Sequence, residues 1–190
     1  MDYDETNMSQ TDRTRRTILD AAVRALTRDS GATLSAVAAE AGVGRATVHR
    51  YFPQRTDLLH ALAEDAIDQL SRTIDACRPD EGAVPDVLRR LAEVILPLAD
   101  EQRFLEIGAT VWDLPDLVDR WYSSTAVVEK VVRRGHDEGV VRPDLPVAWV
   151  TDLFVGALWT AAEAVRDGRI ARNDAAGLVV GTVLEGVRPR

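Results

Sequence analysis

The chain has 190 residues, 46% of them hydrophobic and 28% charged, with a net charge of −8; this is the composition of a folded globular chain and not of a disordered one. No apolar run reaches the roughly 18 residues a membrane-spanning helix needs, and the acidic opening MDYDETNMSQ lacks the apolar stretch of a secretory signal. Cys77 is the sole cysteine, which excludes an internal disulfide and a multi-cysteine metal site and points to the cytoplasm.

Residues 1–10 read as a disordered tail. Ile18, Ala21, Ala22, Ala25 and Leu26 then recur at i, i+3, i+4, i+7 and i+8, one face of an amphipathic helix that stops at Gly31. Leu34, Val37, Ala38 and Ala41 repeat the pattern over a shorter span, with Thr33 placed to cap its start and Gly42 to end it. A third short helix is expected from about Arg45 to Phe52, halted by Pro53. A long fourth one starts near Thr56 with Leu59, Leu62, Ala63, Ala66 and Leu70 on one face.

The breaker RPDEGAVP, residues 78–85, precedes a fifth helix at about 85–98, which Pro97 should kink or end. A sixth at about 101–112 and a seventh at about 116–137 are divided by Pro115. The loop GVVRPDLP leads to a nearly unbroken apolar helix at about 146–167 ending at Gly168, and a last helix covers about 173–186. No alternating strand with a hairpin turn occurs. The expected fold is all-α, with about nine helices.

Charge is distributed unevenly. Residues 9–56 carry eight arginines (13, 15, 16, 24, 28, 45, 50 and 55) against Asp12, Asp20, Asp29 and Glu40, a net of +4. Residues 57–190 carry a net of −9. A basic head on an acidic body fits a polyanion bound at one end only, although uneven solvated charge would look the same. Within that head, two short helices joined by a tight turn around Gly42–Gly44 make a helix-turn-helix, whose second helix can lie in the DNA major groove. That helix carries Arg45, Thr47, His49 and Arg50, which can meet base edges and phosphates, while Val43 and Val48 supply its apolar seat. Helical hairpins are also common packing units, so spacing and polarity alone do not decide between packing and DNA binding.

The order of a basic first helix followed by Ala38, Ala41, Gly42, Val43, Thr47, Val48, Tyr51, Phe52, Arg55, Leu58 and Leu59 resembles the tetracycline-repressor (TetR) family of one-component regulators. The motif covers roughly residues 13–60. The resemblance implies that Thr33 and Ser35 contact phosphate, that Arg45, Ala46, Thr47 and His49 face the groove, that Arg50 and Tyr51 reach base edges or backbone, and that Arg55 clamps a phosphate. Two residues depart from the family pattern: Gly44 stands where serine is usual, removing a side-chain cap, and His49 stands where tyrosine is usual.

Enzyme motifs are missing: the chain has no G-x-S-x-G, H-E-x-x-H or phosphate-binding loop, and Gly42-Val-Gly44 lacks the third glycine and preceding strand of a dinucleotide fingerprint. His49, His60 and His136 have no i, i+4 partner for a helical metal site. No catalytic residue, metal or cofactor is expected, and Cys77 reads as a small buried hydrophobe. The resemblance places an effector pocket in the C-terminal part, where Phe104, Trp112, Trp121 and Tyr122 are candidate walls and Glu106 or Asp113 candidate countercharges for a cationic effector. Small-residue faces on the last two helices (Leu153, Gly156, Ala157, Thr160 and Ala161; Leu178, Gly181 and Thr182) suit close packing into a four-helix bundle across a two-fold axis.

The expected organisation is a tail over 1–10, a helix-turn-helix domain over 11–56 and an effector-binding and dimerisation domain over 57–190. The expected function is a homodimeric, ligand-responsive transcriptional regulator, a repressor released from palindromic double-stranded DNA by a small-molecule effector, with no membrane partner. An activator or co-repressor-dependent regulator stays open, as does a small-molecule binding protein without a specific operator.

Overall fold

The computed structural model describes residues 10–101 and 115–188, and every described regular element is a helix. In chain order these are α1 (Gln10–Arg28), α2 (Leu34–Ala41), α3 (Arg45–Tyr51), α4 (Arg55–Ala76), α5 (Val84–Glu101), α6 (Pro115–Asp137), α7 (Val147–Arg166) and α8 (Arg172–Val187). The helix expected at about 101–112 lies outside the described residues. Pro97 does not end α5, which runs on to Glu101. The ring is exposed, so water can satisfy the carbonyl that loses its amide partner, while Leu98 beside it is buried and holds the turn in place.

Two compact units divide the chain, and one boundary between them falls between Asp65 and Ala66, inside α4. The head unit has its own core of Ile18, Leu19, Ala22, Val37, Val48, Phe52, Leu58 and Leu62, all 3% exposed or less. It extends past residue 56 because Leu58, Leu59, Ala61 and Leu62, on the first turns of α4, pack into that core. In the body unit, Leu70, Val87, Leu91, Val128, Phe154, Leu158 and Val180 form a second core.

Local chemistry sets the helix ends in the head. The Thr33 Oγ1 accepts a hydrogen bond from the Ala36 amide at 3.2 Å, satisfying one of the orphan donors at the start of α2. Gly42 closes α2 in the left-handed region at φ 66°, with its amide directed to the Ala38 and Ala39 carbonyls. A methyl group there would meet nothing within 4 Å, so the backbone angle, not space, is what calls for glycine.

The α4–α5 connection is built differently. Arg90 donates to the carbonyls of Cys77, Arg78 and Glu81 at 3.1, 3.1 and 2.6 Å. Arg134 donates to those of Pro79, Asp80 and Gly82 at 3.4, 2.9 and 3.0 Å. Two guanidiniums thereby satisfy six consecutive carbonyls just past the end of α4. Arg78 holds a left-handed φ of 49° inside this clamp.

Candidate nucleic-acid interface

Helix α3 is seated by its apolar side and open on the other. Val48 is fully buried and Phe52 only 3% exposed, while Val43 and Tyr51 are half-buried against the same core. Arg45, Ala46, His49 and Arg50 are exposed, and Thr47 is half-buried. A seven-residue helix cannot hold itself together in water, so its direction is set by this packing and by α2. Gly44 is the N-cap residue of α3 and makes no side-chain cap.

The arginines of the head fall into two groups. Arg16 pairs with Asp20 and Asp65, both at 2.8 Å. Arg24 and Arg28 both bind Glu40, the former at 2.9 Å, tying α1 to α2. Hydrogen bonds from Arg24 and then Arg28 hold the Glu40 carboxyl below its ordinary value of 4.5. Arg55, expected to clamp a phosphate, donates through Nη2 to the Ser30 carbonyl at 2.6 Å and through Nε to the Ala32 carbonyl at 3.3 Å. It therefore pins the α1–α2 loop, a task that sequence reasoning missed.

The second group is left with its charge unpaired. Arg13 and Arg45 have no ion pair among the described residues. Arg15 lies 5.8 Å over the Phe52 ring and Arg50 5.4 Å over the Tyr51 ring, contacts that steady a guanidinium without neutralising it. Fixed, uncompensated cations beside an exposed short helix are what binding a phosphate backbone and its base edges requires.

The other expected residues are less uniform. Phe104 and Trp112 lie outside the described residues, as do Glu106 and Asp113. Trp121 is on α6, its side chain outside the description, and Tyr122 is 63% exposed. Of the small-residue faces, Leu153, Gly156 and Thr160 on α7 and Leu178, Gly181 and Thr182 on α8 are exposed, and Ala157 is half-buried. Ala161 departs from that group. At three residues from Leu158 and seven from Phe154 it falls on the inward stripe of α7 and is 7% exposed in the body core. Sequence reasoning also missed Trp149, 60% exposed, which precedes Leu153, Gly156 and Thr160 at helical spacing on the same face.

Several grooves mark the body unit. One of 870 Å³ includes Arg72, Cys77, Arg90 and Glu93, and one of 700 Å³ includes Arg89, Glu93, Pro97 and Arg172. Both carry charged groups of mixed sign among their apolar lining. A third, of 530 Å³ between α6 and α7, carries Tyr122 and Trp159. Cys77 is half-buried, and burial pushes its thiol above the ordinary value of 9.0, leaving it a poor nucleophile.

Comparison with known proteins agrees with this geometry. The model of the bacterial regulatory proteins of the tetR family matches residues 18–62, the span of α1 through the start of α4. The HTH-type transcriptional repressor LfrR of Mycolicibacterium smegmatis is 38% identical over 157 residues, covering 83% of this chain and 82% of that protein. The HTH-type transcriptional regulator NfxB of Pseudomonas aeruginosa is 30% identical over 151 residues, covering 76% and 79%. A crystal structure of LfrR from Mycobacterium smegmatis in complex with proflavine superposes with a TM-score of 0.81 at 32% identity, over 96% of this chain and all of that one. The chain belongs to the TetR family and is a DNA-binding transcriptional regulator, not an enzyme.

Proposed function

We propose that the protein is a homodimeric repressor that occupies a palindromic operator through α3 and leaves it when a small molecule binds the body unit. The observation that carries this reading is the pairing of a buried Val48 with an exposed row of Arg45, Ala46, His49 and Arg50 on one short helix. In this arrangement Arg45, Thr47 and His49 read base edges, Arg50 and Tyr51 reach bases or backbone, and Thr33 and Ser35 approach phosphate. Arg55 acts mainly by holding the loop that presents Thr33. LfrR and NfxB are named as a repressor and a regulator, which supports the regulatory role.

The exposed row Trp149, Leu153, Gly156 and Thr160 on α7, with Leu178, Gly181 and Thr182 on α8, supports a two-fold dimer. Trp149 would be its anchor, since large aromatic side chains dominate the energetics of such patches. Release follows from linkage: an effector that prefers the operator-incompetent state lowers operator affinity, and operator lowers effector affinity by the same factor. The chain acts in the cytoplasm, where the DNA is; among the described residues no helix is long and apolar enough to cross a membrane.

Selection from random DNA duplexes tests the reading. A two-fold symmetric site is expected, with half-site centres about 34–36 Å apart or at multiples of that spacing. Recovery of sequence-independent binding alone would refute it.

A further inference from the structure

Among the arginines of the head outside α3, Arg15 is held in place without being neutralised. Arg16, Arg24 and Arg28 are paired with carboxylates, and Arg55 gives its Nε and Nη2 donors to the Ala32 and Ser30 carbonyls. Arg13 has neither an ion pair nor a ring contact among the described residues. Arg15 stands 5.8 Å over the Phe52 ring and has no ion pair or hydrogen bond among the described residues. We propose that Arg15, on α1, clamps a DNA phosphate beside the end of α3, in the role that the sequence suggests for Arg55. This rests on the reading of α3 as the element that enters the groove.

Three observations carry the assignment. Phe52 is the C-cap residue of α3, so a guanidinium over its ring stands where α3 ends. In helix-turn-helix docking the first residues of the recognition helix meet base edges, which leaves its C-terminal end nearer the strand that borders the groove. The second observation concerns donors. An aromatic face attracts the charge but takes up none of the five N–H groups of a guanidinium, which stay available for two phosphate oxygens at once. Arg55, three residues beyond Phe52 at the start of α4, has spent two of its donors on carbonyls instead. The third is that the fold does not need this contact. Phe52 is already seated by the head core at 3% exposure, and a cation over a ring at an exposed position such as Arg15 adds little stability.

The test is the salt dependence of DNA affinity for the full-length protein, read by anisotropy of a labelled duplex. Two duplexes of equal length are compared, the selected operator and a scrambled sequence. Each phosphate contact contributes about 0.9 to the slope of log affinity against log salt. Arg15→Gln should lower that slope by about 0.9 per bound protomer on both duplexes and weaken operator affinity about tenfold, with the ranking of single-base operator variants unchanged. Arg15→Lys keeps the charge and should keep the wild-type slope. Arg15→Met keeps an apolar contact with the ring and should lose the same slope as Arg15→Gln, which a purely structural role for Arg15 would not produce. Arg55→Gln should lower the melting temperature and leave the slope as in wild type. Equal slopes for wild type, Arg15→Gln and Arg15→Met would overturn the clamp, and so would a slope that falls in Arg55→Gln alone. The scrambled duplex separates this claim from the wider reading. If wild type prefers neither duplex but Arg15→Gln lowers both slopes, the phosphate contact stands and the specific operator is lost. A preserved operator preference with unchanged slopes removes the clamp and keeps the operator.

Discussion

Gly156→Leu separates dimer formation from folding. A methyl group at Gly156 or at Gly181 would meet nothing within 4 Å in its own chain. The protomer can therefore accept a leucine there, and replacing glycine within α7 should favour that helix by about 0.8 kcal/mol on intrinsic propensity. A dimer built on this face has no such room. Extra methylenes forced into a packed interface cost about 1–3 kcal/mol per site, and two-fold symmetry places two copies of the change in one interface. The dimer should then weaken by about 2–6 kcal/mol, or roughly 30-fold to 10⁴-fold in dissociation constant. Sedimentation equilibrium across a wide protein concentration range reads the dissociation constant, and circular dichroism of the diluted protomer reads the fold. Helicity should be kept while the dimer dissociates. An unchanged dimer in both Gly156→Leu and Gly181→Leu would place the interface elsewhere, and a loss of helicity in the isolated protomer would contradict the open environment described for Gly156.

Gly44→Ser should give α3 the side-chain cap it lacks and raise head stability by a few tenths of a kcal/mol, read as a higher denaturant midpoint, since φ −68° at Gly44 suits any residue. Gly135→Ala should be destabilising by about 1–3 kcal/mol in chemical unfolding, because the added Cβ would lie 2.8 Å from the Val141 Cγ2 and 3.4 Å from the Val84 Cγ1. The Glu40 carboxyl is held below 4.5 by Arg24 and Arg28 in the folded head, so its contribution is complete above that value and disappears as pH falls through the lower folded value. Thermal unfolding of wild type and Glu40→Gln should therefore differ at neutral pH and converge in acid; a gap independent of pH would contradict the assigned pairing.

Much of the head was legible from residue types because its boundaries are made by local chemistry. Thr33, Gly42 and Pro53 act within a few residues of themselves; α2 starts and ends, and α3 ends, where those residues direct. The body is less legible. Small residues line both the inward and the outward sides of α7, so Ala161, at 7% exposure, cannot be told from Gly156 by size alone. Trp149 escaped notice because an aromatic residue in an apolar run reads as core, whereas its side chain faces outward. The arginine contacts were least accessible. Arg55 meets Ser30 and Ala32, and Arg134 meets Pro79, Asp80 and Gly82, across separations of 23 to 55 residues that leave no periodic trace. Their role is to satisfy carbonyls, which every residue carries, so no partner residue type announces them.

The central claim is that α3 reads base sequence through its exposed side chains, and Arg45 is its sharpest component. Arg45 is exposed, unpaired among the described residues and the first residue of α3. The direct measurement is the affinity of wild type and Arg45→Ala for every single-base variant of the selected operator, at fixed salt. If Arg45 is bidentate to a guanine, the variant should lose about 1–3 kcal/mol and become indifferent to one base position in each half-site, with discrimination elsewhere unchanged. Identical specificity profiles, or a uniform loss across all sequences, would show that Arg45 does not read a base and would contradict this account of α3.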